Sequence, residues 1–157
     1  MNKLKKYFPQ ILLAMSLIIY AGCGGGLTGG GTMEIPELGF SMPVPAGWRI
    51  DAPEMCHKGD NTGLLMEEKL EGRPFEAAAA GMTREFGNKV ISESPFSISG
   101  LKAIKAHATT PSGDRLLRVY ILKGDAIIVL SFVILKDDYP ALEAALEQAI
   151  RAINVKN

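Results

Sequence analysis

Ten consecutive residues, Ala126 to Leu135, carry no charge and are rich in β-branched side chains. Strand alternation sets Ile128, Leu130, Phe132 and Ile134 on one side, with Ile127, Val129, Val133 and Leu135 on the other. A strand apolar on both faces is covered on both or lies in the middle of its sheet. The run is too short to cross a bilayer as a helix, which needs about 20 residues. The chain must therefore fold in layers around this strand, and its other segments must supply the cover.

Two segments have the helical period for that task. Residues 74–86 open on Pro74, which suits a first turn, and stop at Gly87-Asn88. Phe75, Ala79, Met82 and Phe86 recur at spacings of four, three and four, so they share one face. Residues 139–153 predict a second helix, with Asp137 and Asp138 at its start and Pro140 in its first turn. Its stripe is Tyr139, Leu142, Leu146, Ile150 and Ile153, and Glu147 is placed to pair with Arg151. Both stripes are expected to pack on the sheet.

The remaining segments read as strands and turns. Leu38–Val44 puts Phe40, Met42 and Val44 on one face, Pro45-Ala46-Gly47 turns the chain, Trp48–Ile50 resumes it, and Asp51-Ala52-Pro53 is a break. Residues 54–58 and 64–70 flank the turn-rich Gly59–Gly63 and predict a hairpin. Residues 89–94 and 96–99 are extended, with Pro95 between them. Residues 101–110 and 115–122 flank the turn Pro111-Ser112-Gly113-Asp114, and Lys123-Gly124-Asp125 leads into the apolar run. The order predicts an α+β domain over residues 34–157, an antiparallel β-sheet flanked by helices.

Centring the 111–114 turn near Ser112–Gly113 pairs residues whose numbers sum to about 225. That sets His107 opposite Arg118 and Lys105 opposite Tyr120. Lys105, His107, Arg118 and Tyr120 then form a candidate protein-binding patch, since Tyr and Arg are favoured at binding hot spots. A solvated sheet face is the plainer reading of the same residues.

The N-terminus bears on location. Lys3, Lys5 and Lys6 precede a mostly apolar stretch from Ile11 to Tyr20, then Ala21-Gly22-Cys23. A basic segment, a short apolar segment and small residues at the cut define an export signal over residues 1–22. Tyr20-Ala21-Gly22-Cys23 resembles the bacterial lipobox, although Tyr20 stands where Leu is usual. The resemblance implies that Cys23 carries the lipid and becomes the first residue. Residues 23–33 then form a glycine-rich tether with no charge. A phosphate-cradling glycine loop would need a strand before it and a helix after it, and neither is present in the sequence pattern. Gly24, rather than Asp, resembles the pattern for sorting to an outer membrane. The expectation is a lipid-anchored protein of the bacterial cell envelope, at the outer membrane facing the periplasm more than at the inner membrane.

The whole chain has 17 basic and 17 acidic residues. Loss of Lys3, Lys5 and Lys6 with the signal leaves three more acids than bases. That excludes the clustered basic surface a nucleic-acid partner requires.

Gly39-Phe40-Ser41-Met42-Pro43-Val44-Pro45-Ala46-Gly47-Trp48 is similar to the entry of PsbP-like domains. The later course matches too, from the strand ending at Gly100 through the Pro-Ser-Gly-Asp turn to the long apolar strand and the closing helix. This fold is shared by bacterial DcrB-like and LpqN-like lipoproteins and by a yeast Ran-binding import factor. The resemblance covers about residues 38–154. It implies an α/β/α sandwich used mainly to bind proteins, with no common catalytic set and no cofactor.

The residues themselves offer little chemistry. With Cys23 lipidated, Cys56 is the remaining thiol and cannot form an internal disulfide. Cys56-His57 places a nucleophile beside a base, but strand neighbours point to opposite faces. Met55, Cys56, His57 and Met66 are a soft-metal alternative, since thioether and thiolate suit copper(I). Two histidines, His57 and His107, exclude a three-histidine zinc site. Glu67-Glu68 are adjacent and so are not a paired acid–base site. The expected function is a non-catalytic protein-binding or assembly module, its envelope protein partner unidentified. The alternative is an envelope metal/redox protein or enzyme centred on Cys56-His57.

Overall fold

A computed structural model describes residues 31–156. Along the chain run β1 (Thr32–Ile35), β2 (Phe40–Pro43), β3 (Arg49–Ala52), β4 (Met55–Lys58), β5 (Asn61–Lys69), α1 (Phe75–Arg84), β6 (Lys89–Ile98), β7 (Leu101–Thr109), β8 (Arg115–Lys123), β9 (Ala126–Ile134), α2 (Tyr139–Arg151) and β10 (Asn154–Val155). Seven strands form an antiparallel sheet in the order β3-β4-β5-β9-β8-β7-β6. The apolar run is thus its central strand. A second sheet has the order β1-β2-β10.

The large sheet carries a helix on each face. On one face α1 lays Phe75, Ala79 and Met82 against Ala106, Tyr120, Ile127 and Val129. On the other, α2 and the small sheet pack Leu142, Leu146, Ile150, Met33, Phe40 and Met42 over Leu117, Val119, Ile121, Leu130, Phe132 and Ile134. Trp48 meets Phe132 edge to face, centroids 5.6 Å apart. Both rings are fully buried, and burial of one such side chain contributes about 1.5–3 kcal/mol. The architecture is α+β, helix on sheet on helix, as the sequence predicts.

Several local expectations are corrected. The tether was expected to run to residue 33, yet Thr32 and Met33 belong to β1 and Met33 is buried. The helix expected over 74–86 ends at Arg84. Phe86 takes a left-handed φ of 59° and is 80% exposed, so it leaves the stripe. Pro95 does not split β6, because β6 is an edge strand and pairs with β7 alone. A proline whose nitrogen faces outward removes no ladder hydrogen bond. Val133 is 40% exposed and Leu135 37%, so the apolar run is not covered along its whole length. Ile153 is buried but lies beyond α2, just before β10. Glu147 pairs with Lys105 across the sheet, and no ion pair joins it to Arg151 among the described residues.

Candidate functional site

The β7–β8 register decides the fate of the expected patch. Residue numbers of paired positions sum to 224, with His107 opposite Leu117, Lys105 opposite Val119, Ala106 opposite Arg118 and Ile104 opposite Tyr120. A slip of one residue reverses the face of every side chain. Lys105 and His107 therefore lie on the α2 face, and Arg118 and Tyr120 on the α1 face. The four do not form one patch.

Lys105 and His107 enter a half-buried polar cluster under α2. The Lys105 ammonium donates to both carboxylate oxygens of Glu147, at 2.9 and 2.8 Å. His107 Nε2 lies 3.7 Å from the same carboxylate, and its Nδ1 lies 3.4 Å from the Tyr139 hydroxyl. That hydroxyl donates to Glu143 at 3.1 Å, and the Arg115 guanidinium sits 5.4 Å from the Tyr139 ring centroid. Burial, then the Lys105 charge, hold His107 below the ordinary histidine value. Burial, then the bond to Glu143, push the Tyr139 phenol up to about 12. The cluster ties helix to sheet. Glu147 and Tyr139 were legible in sequence only as members of a helix, because their partners come from β7.

Arg118 and Tyr120 lie beneath α1. Thr83 Oγ1 gives its proton to the Ala79 carbonyl at 2.9 Å, so the 2.8 Å contact with Tyr120 is donated by the phenol. Tyr120 is fully buried. Arg118 Nη1 donates to the Met82 carbonyl at the end of α1, where a cation suits the helix dipole. Arg118 Nε and Ser131 Oγ, on cross-strand partners, are buried without a hydrogen-bond partner among the described residues.

Cys56 and His57 face opposite ways. Cys56 is fully buried opposite Gly63, and a methyl group at Gly63 would lie 2.7 Å from its sulfur. Burial, then the Asp51 charge, push the thiol up to about 12. Burial of this kind disfavours the thiolate, the form that attacks or binds a metal. His57 lies opposite Thr62 at the sheet's other face, donating through Nδ1 to Asp51 and accepting through Nε2 from Arg49 at 3.1 Å. No group of three or more His, Cys, Asp or Glu side chains is placed to hold a metal among the described residues.

The surface most open to a partner is the rest of the α1 face. Seven strands at about 4.8 Å spacing span about 29 Å, whereas one helix is about 10 Å wide. α1 packs over β7, β8 and part of β9. Beyond it Met66 on β5, opposite Val129, is 42% exposed, Val133 on β9 is 40% exposed, and Leu135 follows. Leu64, opposite Ser131, is half-buried between them. Phe86, just past the end of α1, is also exposed. Cys23 lies outside the described residues.

No family model matches the sequence, and no curated protein matches it. Solved structures do match. The solution structure of cyanobacterial PsbP (CyanoP) from Synechocystis sp. PCC 6803 aligns with a TM-score of 0.64, covering 87% of this chain and 98% of that one. The fold is PsbP-like. LpqN of Mycobacterium tuberculosis, described as involved in cell envelope biogenesis, gives a TM-score of 0.55 over 75% of this chain and 83% of its own. PA94 of Pseudomonas aeruginosa gives 0.51 over 79% and 95%. Sequence identities are 10%, 17% and 17%, so the PsbP-like likeness is one of fold. No helix of the described residues is long and apolar enough to cross a membrane.

Proposed function

We propose that this chain is a lipid-anchored protein of the bacterial cell envelope that acts by binding another envelope protein and performs no chemistry of its own. In this reading residues 1–22 are removed, Cys23 carries the lipid, and the glycine-rich residues up to Gly31 hold the domain at the outer membrane, facing the periplasm. The observation that carries the binding role is the uncovered half-face with Met66, Val133 and Leu135 and the exposed Phe86. Exposed apolar surface of this kind marks interaction sites. The full burial of Cys56, which pushes its thiol pKa up, supports a role without catalysis. LpqN, tied by its description to the envelope, supports the setting.

The binding role is tested by Met66→Asp with Val133→Asp, against Ser97→Asp on the opposite edge of the sheet. Membrane extracts should yield a partner to wild type and to Ser97→Asp, with at least tenfold less to the face variant while its melting curve remains cooperative. Equal capture by the folded face variant overturns the reading. The anchor is tested by palmitate labelling of Cys23→Ser, which should abolish the label; equal label in variant and wild type overturns it.

A further inference from the structure

An uncharged groove of about 390 Å³ lies between the Pro43–Ala46 loop and α2. Val44 and Pro45 form one wall, and Ala145, Ala149 and Ala152 form the other. Those alanines recur at spacings of four and three, so they share a helix face. The core-facing positions of the same helix are the large Leu142, Leu146 and Ile150. Alanine on this flank leaves open a space that Leu would fill. The volume falls in the range of small-ligand sites.

Gly31 also lines the groove, and its carbonyl accepts from the Val44 amide at 2.9 Å. The chain therefore enters the fold at the groove itself. If Cys23 is the first residue, eight residues precede Gly31, and five of them are glycine. Random-coil scaling for a glycine-rich composition of that length gives an r.m.s. reach of about 14–17 Å. A group on its end is held near the groove at millimolar effective concentration. Lipid chains on Cys23 are such a group, and apolar walls without charge suit methylenes that would otherwise face water.

We propose that this groove seats an acyl chain of the lipid on Cys23 while the protein is away from a bilayer, and gives it up on contact with a membrane. The inference rests on lipidation of Cys23. A chain bound for an outer membrane crosses water on the way, and a groove beside its own tether shields the lipid during that passage.

The test uses the full lipoprotein with the photo-crosslinking amino acid benzoylphenylalanine at the exposed position 148, on the groove rim. Mass spectrometry first establishes that Cys23 carries lipid. Irradiation in buffer diluted below the detergent's micelle concentration should join residue 148 to the acyl chain within one molecule. The yield should be independent of protein concentration. Vesicles of phosphatidylethanolamine and phosphatidylglycerol should lower it at least tenfold. Ala145→Trp, and Ala152→Trp at a more exposed site, should lower it equally by filling the groove, and the same crosslinker at Ser97 should give none. A lipidated protein that yields no such crosslink, or yields as much with vesicles or with either tryptophan, overturns the groove and leaves the anchor standing. A protein without lipid on Cys23 overturns the anchor, and the groove's occupant with it.

Discussion

Lys105 on β7 and Glu147 on α2 meet through both carboxylate oxygens, each partner only about a quarter exposed, at 25% and 23%. The pair fixes the terminal helix across the sheet at a position where one neighbour is His107 and the next turn carries Glu143 and Tyr139. Among the described residues it is the polar contact between this helix and the sheet with two hydrogen bonds.

Glu147→Ala should destabilise the fold by about 1–2 kcal/mol, between the values for exposed ion pairs and for hydrogen bonds to buried charges. The urea midpoint should fall with an unchanged m-value. Lys105→Met combined with Glu147→Leu should cost less than the two single changes added, since neither charge is then stranded. Strict additivity would show the contact to be idle.

His107 gives the fold a pH dependence. Its value is held below the ordinary 6.5 chiefly by burial, with Lys105 and Arg115 acting the same way and Glu147 and Glu143 opposing them. Between the folded value and about 6.5 the unfolded chain binds more protons than the folded one, so stability falls as pH drops through that window and is retained above it. Melting temperatures should decline from pH 7.5 to 5, and His107→Gln should flatten the decline. Identical slopes in both proteins would remove His107 as the cause.

Tyr120→Phe removes the phenol that donates to Thr83. Thr83 keeps its bond to Ala79, so the expected loss is about 1 kcal/mol. Tyr120→Ala empties a fully buried site and should cost about 3–5 kcal/mol. Denaturant titration distinguishes a core residue from a surface one: a negligible loss for the alanine variant contradicts the placement under α1.

Gly63→Ala pushes a methyl group to 2.7 Å from both Cys56 Sγ and Phe132 Cε1. Overpacking of this kind costs about 1–3 kcal/mol. Adding Cys56→Ala should restore part of the loss, measured as a rise in midpoint over Gly63→Ala alone. A further fall would locate the strain elsewhere.

The centre of the fold was legible in the sequence. The apolar run 126–135 reads as a strand covered on both faces or central in its sheet, and its strand is the central one; the alternating Phe40, Met42 and the Leu142, Leu146, Ile150 stripe face the core as their periods require. What failed was single-residue precision. The 111–114 turn is centred half a residue away from the expected point, and that difference divides Lys105 and His107 from Arg118 and Tyr120. Turn composition names a turn but does not fix its register. Pro95 reads as a break because sequence alone does not reveal which strand is at an edge. Phe86 reads as core because the helical period runs on through the residue at which the backbone turns left-handed.

β6 presents ten residues along an open edge, and Pro95 together with the bulge at Ile91 interrupts its outward row of amides and carbonyls. Open edges are templates for pairing between molecules. Wherever copies of this chain are crowded side by side, collisions along that edge meet a missing donor and a local twist. Those two interruptions disfavour the zipping of neighbouring copies into a shared sheet.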